Sequence, residues 1–220
     1  MPDRPSRAQT RPQPAKQAGA LRARVLVITR PVGTGAALSR RVRALGGVPV
    51  SLPGLALRAA HDPAAVRAQL RSALGDELVV FTSPAAVRHA AALATLRTRA
   101  TVLAVGQGTA RALRLRGVKA PLCPDQQDSE GLLAHPLLQA LCHRRVALVG
   151  APGGRGTLRR ELAARGARLR EVQVYHRVPP RLDRRHVAAL QALPRSARVL
   201  LSSQEALHNL CTLLPPSALA

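Results

Sequence analysis

The sequence predicts an α/β protein of two doubly wound parallel-sheet domains joined by a two-stranded linker, and three observations lead there. From residue 21 onward, short β-rich runs alternate with Ala- and Leu-rich amphipathic stretches, the pattern that lays helices over parallel strands. Unit after unit then reads strand, polar turn, helix, glycine. Two proline-marked extended stretches interrupt this rhythm and read as crossings between domains.

In chain order, a strand over 24–29 leads to a helix over 34–45 that closes on Gly46-Gly47, where a left-handed cap favours glycine. A strand over 48–52 runs into the first crossing, marked by Pro53 and Gly54, and a helix follows over 63–74. The strand at 78–82 ends in Thr82-Ser83-Pro84, a hydroxyl for an N-cap followed by proline in the first turn of a helix over 84–93. A strand over 101–105 feeds a helix over 107–115 ending at Gly117, and Asp128-Ser129-Glu130 offers caps and dipole partners to a helix over 129–141. Next come a strand at 145–149, a glycine-rich loop, a helix at 157–165 closed by Gly166, and a strand at 169–175 that continues into the second crossing, Val172 to Pro180. Helix 184–193, strand 198–201 and helix 204–214 complete the series. The expected domains are a discontinuous one, 21–55 plus 179–220, and an inserted one, 56–174, with linkers near 52–57 and 173–180. Residues 1–20, rich in Pro, Gln, Arg and Ala without apolar period, read as a disordered basic tail. The polar turns should gather at the carboxyl ends of the strands, the edge where open α/β sheets bind ligands.

The chain has 220 residues, 46% of them hydrophobic, enough for sizeable cores. No stretch of about 18 uncharged apolar residues occurs and no secretory leader is seen, so a cytoplasmic address is expected. Cys123, Cys142 and Cys211 are odd in number and lack CxxC spacing, which argues against a disulfide framework and against zinc. The formal charge of +23 raises nucleic acid or a polyanionic small molecule as partner. One Tyr, one Phe and no Trp argue against a reader of single strands, which stacks bases on aromatic rings. Part of the arginine bias forms solvated faces, and part can steer an acidic ligand.

Gly33 and Gly35 lack the third glycine of a dinucleotide fingerprint, Leu38 standing there, and the loop from Gly150 to Thr157 lacks the lysine and spacing of a P-loop. The seven histidines show no HExxH or other metal spacing, and Ser83, Ser202 and Ser203 sit in no GxSxG elbow. What remains is a set of hydroxyls, arginines and helix amino termini at strand ends. That set suits a multiply anionic ligand, although simple helix capping accounts equally well for several of the hydroxyls.

These loops resemble those of the uroporphyrinogen-III synthase family, in the order Ile28-Thr29-Arg30-Pro31, Phe81-Thr82-Ser83-Pro84-Ala85-Ala86-Val87 and Ala104-Val105-Gly106-Gln107-Gly108-Thr109-Ala110. The series continues through Asp128-Ser129-Glu130-Gly131-Leu132-Leu133, Gly153-Gly154-Arg155, Val174-Tyr175-His176-Arg177 and Leu201-Ser202-Ser203-Gln204-Glu205-Ala206-Leu207. The resemblance implies a monomeric, cofactor-free and metal-free cytoplasmic enzyme with its site in the cleft between two domains. Its substrate would be hydroxymethylbilane, a linear tetrapyrrole with eight carboxylates, closed to uroporphyrinogen III with inversion of ring D and loss of water. Within that scheme Tyr175 is expected to donate a hydrogen bond or proton to the departing hydroxyl, the alternative being a tyrosine that merely packs between linkers. Thr82, Ser83, Thr109, Ser129, Ser202 and Ser203 would bind substrate carboxylates, with Arg30 and Arg155 as the nearest cations and Gln107 holding an acetate or propionate arm. Members of the family continue beyond the point matching Leu214 with a further strand and helix, so the discontinuous domain is expected to be incomplete, with an exposed sheet edge. The rival reading is a non-catalytic α/β module that binds nucleic acid or another polyanion through its charge.

Overall fold

The computed structural model describes residues 19–153 and 156–215. Its elements, in chain order, are β1 (Val25–Ile28), α1 (Ala36–Ala44), β2 (Val48–Ser51), β3 (Ala56–Ala59), α2 (Pro63–Ala73), β4 (Leu78–Phe81), α3 (Pro84–Leu93), β5 (Thr101–Ala104) and α4 (Gln107–Arg114). They continue with α5 (Ser129–Leu133), β6 (Arg145–Gly150), α6 (Thr157–Ala164), β7 (Arg168–Gln173), β8 (Tyr175–Val178), α7 (Arg184–Gln191), β9 (Arg198–Leu200) and α8 (Gln204–Leu213). The chain divides into two compact units, one formed by Met1–Ala56 with Pro179–Ala220 and the other by Leu57–Val178. Among the described residues no helix is long and apolar enough to cross a membrane.

The Leu57–Val178 unit is organised by β4, whose sequence Leu-Val-Val-Phe is apolar throughout and buried throughout. A strand with that composition belongs in the middle of a parallel sheet covered on both faces. It lies there: the sheet order is β5-β4-β6-β7, every neighbouring pair is parallel, and Val79 stands in register with Val102 on one side and Ala147 on the other. Alternation along β4 sends Val79 and Phe81 into one core, with Leu70, Ala86, Leu113, Ala147 and Val149. Leu78 and Val80 enter a second core with Leu103, Leu132, Val146 and Leu162. The helices α2, α3 and α4 therefore cover one face, and α5 and α6 the other.

At the amino ends of these strands, two adjacent acids collect arginines. Asp76, its side chain 4% exposed, faces Arg170 Nε at 3.0 Å and Arg145 Nε at 3.6 Å. Glu77 accepts from Arg144 Nε at 3.1 Å and from the Arg145 backbone N–H at 3.1 Å. The Arg145 N–H, followed by the Arg144 side chain, holds the Glu77 carboxyl below the usual carboxylate range.

In the other unit the parallel order is β2-β1-β9. Val27, Leu52, Leu210 and Leu214 pack on one side of the sheet, and Leu26, Ile28 and Val42 on the other. β9 is exposed along its whole length, and Val199 and Leu201 are about half exposed. The carboxyl ends of β1 and β9 are tied by Thr29, which is fully buried: its hydroxyl donates to Leu200 O at 2.9 Å and accepts from Ser202 N–H at 3.0 Å. Ser202 Oγ returns a hydrogen bond to Thr29 O at 2.9 Å. The loop after β2 then presses on α8, where a β-carbon at Gly54 would come within 2.5 Å of Ala206 Cβ, and Asn209 Nδ2 donates to Gly54 O at 2.9 Å. Gly54→Val is therefore expected to destabilise this unit by about 2–4 kcal/mol, because overpacking adds to the loss of a buried hydrogen bond. Urea unfolding of the variant followed by circular dichroism checks it; an unchanged midpoint would mean that loop and helix do not meet as described.

Local chemistry explains most element ends. Asp62 caps α2, its carboxylate accepting from the Ala64 and Ala65 N–H groups, and Ser83 caps α3, with proline first in each helix. Gly46, Gly117 and Gly166 take φ of +83°, +82° and +80° after their helices.

The structure departs from the sequence-based expectation in three places. The helix expected over 129–141 is α5 followed by a separate 3₁₀ turn, Pro136–Leu138, because proline has no N–H to give and disfavours helix at the residue before it. The strand expected over 169–175 is two strands: β7 completes the four-stranded sheet, whereas β8 pairs with β3 in a sheet of two. β3 itself was hidden by its short length beside Pro53 and Gly54. Most of the basic tail expected over 1–20 lies outside the described residues.

Candidate functional site

The connections after β4 and β6, neighbours in the sheet, leave in opposite directions, α3 to one face and α6 to the other. Such a divergence opens a crevice at the carboxyl ends of the two strands, the place where α/β sheets bind ligands. A cavity of about 590 Å³ lies there, lined by Thr82 and Ser83 after β4, Gly150 to Gly153 after β6, Ser129, and Gln173, Tyr175 and Arg177 beyond and on the strands that follow.

Close packing builds its floor. Thr82 Oγ1 donates to Val149 O at 3.3 Å, and a β-carbon at residue 150 would collide with that same hydroxyl oxygen of Thr82, so Gly150 is required for the two strand ends to approach. Ser83 Oγ accepts from the Ala86 N–H at 3.0 Å as the cap of α3 and shares a hydrogen bond of 3.2 Å with Tyr175 Oη. The tyrosine is 6% exposed, and its ring stacks on His89 of α3 with centroids 5.1 Å apart and planes 19° apart. Burial, with a smaller contribution from Arg88, pushes the His89 pKa down, which favours the neutral ring against the tyrosine face. The phenol is thus held from two directions and delivered to the cavity wall, rather than lying open on a linker.

Cations stand nearby. Arg177 Nη2 donates to Pro152 O at 3.1 Å, anchoring the guanidinium against the glycine-rich loop. Arg159 lines the wall from α6, and its ion pair with Glu171 is an exposed contact of 3.8 Å, of the kind worth about 0–1 kcal/mol. Among the described residues, no three His, Cys, Asp or Glu side chains gather as metal ligands.

Of the residues singled out from sequence, Thr82, Ser83, Ser129 and Tyr175 meet around this cavity. Gln107 and Thr109 are not among its lining residues. The Gln107 N–H is taken by Gln127 Oε1 at 2.9 Å, replacing the cap that Gly106 cannot provide, and Thr109 is 3% exposed on the inner side of α4. Arg30, Ser202 and Ser203 belong to the other unit, beyond the carboxyl ends of β1 and β9, and all three are exposed. There Ser203 caps α8 by accepting from Ala206 N–H at 3.1 Å, and the Ser202 hydroxyl is turned inward to Thr29 O. Arg155 lies outside the described residues.

Sequence reading missed Gln173, Arg177, Thr157 and Arg159 as cavity residues. The first two carried a partial signal, since each stands two residues from Tyr175 in a stretch read as extended. Thr157 and Arg159 carried none, since their place depends on where α6 begins.

A doubly wound domain with a hydroxyl-rich, arginine-flanked crevice at its switch point belongs to the class of open α/β proteins, whose ligands bind at the carboxyl edge of the sheet. More narrowly, the chain belongs to the uroporphyrinogen-III synthase family: residues 36–219 match the family model described as uroporphyrinogen-III synthase HemD. It is 31% identical over 198 residues to the uroporphyrinogen-III synthase of Salmonella typhimurium, covering 86% of this chain and 80% of that protein. Among solved structures, a mutant uroporphyrinogen III synthase from the extremely thermophilic bacterium Thermus thermophilus aligns with a TM-score of 0.54 at 25% identity, over 77% of this chain and 69% of that one. The uroporphyrinogen-III synthetase of Helicobacter pylori shares the fold, with a TM-score of 0.56 at 15% identity over 87% and 79% of the two chains. The family match and the Salmonella relative support the enzyme reading and lend nothing to the rival polyanion-binding module.

Proposed function

We propose that this chain converts hydroxymethylbilane to uroporphyrinogen III and water, inverting ring D as the macrocycle closes. The observation that carries the reading is the hydroxyl constellation Thr82, Ser83, Ser129 and Tyr175 around one crevice with Arg159 and Arg177, found in a member of this family. In this mechanism the Tyr175 phenol protonates the departing hydroxymethyl oxygen, which leaves as water, and the pyrrole N–H proton lost in exchange restores the phenol as the substrate becomes an electrophilic azafulvene. The substituted carbon of ring D attacks it to form a spiro species, which fragments and recloses with that ring inverted. Thr82, Ser83, Ser129 and the arginines hold carboxylate arms, and Arg30, Ser202 and Ser203 offer the same chemistry on the other unit. Orientation supplies much of the effect, since fixing two reacting carbons in near-attack geometry is worth up to about 7–11 kcal/mol. The reaction needs no redox step, and the reading assigns no cofactor. It takes the enzyme to act as a cytoplasmic monomer without a nucleic-acid partner.

The test is an assay with hydroxymethylbilane that resolves uroporphyrin I from III after oxidation. Isomer III well above the spontaneous background is expected. Isomer I alone from folded protein overturns the proposal.

A further inference from the structure

A strongly basic concavity of the Leu57–Val178 unit lies at the opposite edge of the sheet from the crevice. All four strands run parallel, so Asp76 and Glu77, preceding β4, sit at the amino edge, about 20 Å from the carboxyl edge along a six-residue strand such as β6. A hollow of about 800 Å³ opens there, and five arginines, Arg71, Arg97, Arg99, Arg144 and Arg145, line it against two carboxylates. It shares Asp76 and Arg145 with an adjoining hollow of about 370 Å³ that adds Arg168 and Arg170.

The arrangement is built rather than a scatter of solvated side chains. Asp76 is only 5% exposed and fixes Arg145 and Arg170, while Glu77 fixes Arg144. Arg144 and Arg170 donate through Nε to these carboxylates and Arg145 Nε lies 3.6 Å from Asp76, contacts that use Nε and leave the terminal Nη groups of each guanidinium available to a further acceptor. Arg71, Arg97 and Arg99, from the end of α2 and the loop before β5, make no ion pair or side-chain hydrogen bond among the described residues. Their charges converge on the hollow from two sides. A single carboxylate could satisfy one such fork, whereas several anionic groups close together on one molecule can satisfy several at once. Among the described residues no aromatic side chain lines the hollow, so nothing there offers a stacking platform for a base.

We infer that this hollow is a second anion site, one that takes a di- or triphosphate group through Arg71, Arg97, Arg99 and the pre-fixed Arg144 and Arg145. The phosphates carry the recognition, whether free or borne by a nucleotide. The inference does not depend on the proposed reaction, which takes place at the other edge of the sheet.

Isothermal titration of the full chain with inorganic tripolyphosphate and with ADP, at near-physiological salt, tests it. The probes are run against wild type, Arg97→Gln/Arg99→Gln, and the control Arg40→Gln/Arg41→Gln on α1, which removes the same charge elsewhere. Saturable binding of tripolyphosphate is expected, weakened about tenfold or more by the first pair and less than about twofold by the control. Comparable affinity for ADP and tripolyphosphate assigns the site to free phosphate chains, and tighter ADP binding assigns it to a nucleotide; either supports the inference. Equal weakening by both pairs, absence of saturable binding, or binding of single-stranded DNA without binding of tripolyphosphate overturns it.

Discussion

Tyr175→Phe is expected to lower the rate of uroporphyrinogen III formation about a hundredfold, the lower end of what a positioned proton donor contributes. The substitution is unusually clean. Phenylalanine keeps the ring that stacks on His89, so the packing of β8 against α3 survives. What disappears is one hydroxyl and its 3.2 Å hydrogen bond to Ser83 Oγ, worth about 1 kcal/mol of stability. Because Ser83 continues to accept from the Ala86 N–H, α3 keeps its cap. Turnover should therefore fall while KM and the melting temperature move little, and the share of isomer I should rise as unassisted closure overtakes the enzyme. A rate within about twofold of wild type, measured on protein with unchanged melting, would end the acid role and leave Tyr175 as a packing residue.

The second large effect is structural. Phe81→Ala should destabilise the Leu57–Val178 unit by about 3–5 kcal/mol, the usual cost of emptying an aromatic position in a core that cannot collapse onto the space. Phe81 is fully buried at the end of the central strand, packed among residues of α3, α4 and β6. Since whole domains are stable by only about 5–15 kcal/mol, the variant should lose a large share of the unit's stability. The damage should also reach function, because Phe81 is followed directly by Thr82 and Ser83. Denaturant titration gives the first number and the isomer-resolved assay at low temperature the second. A loss below about 1 kcal/mol would show that β4 is not the buried centre of this sheet.

Several of these features are legible in the chain itself. The apolar run Leu78 to Phe81 marked a strand covered on both faces, and Ser83-Pro84 marked the start of the helix behind the crevice. The order of the loop motifs pointed to the family, and with it to Tyr175. Less was visible of which hydroxyls face a ligand. Ser83, Ser202 and Ser203 look alike in sequence, yet one meets the phenol, one turns back to Thr29 and one caps α8. A capping serine and a binding serine occupy the same local position, and only the neighbours brought in by the fold tell them apart.

The division follows from the range of the forces. Side-chain period, caps and proline stops act within a few residues, so the sequence by itself determined most of the succession of strands and helices, the starts of α2 and α3 at Pro63 and Pro84, and the ends of α1, α4 and α6 at Gly46, Gly117 and Gly166, but neither β3 nor the break between β7 and β8. The order β5-β4-β6-β7 is decided by which apolar faces can bury one another across long stretches of chain, and no local window contains that competition. Tertiary structure alone therefore placed β6 beside β4, set Gly150 against Thr82, carried Tyr175 to Ser83 and His89, and gathered Asp76 with arginines from β6 and β7 at the far edge.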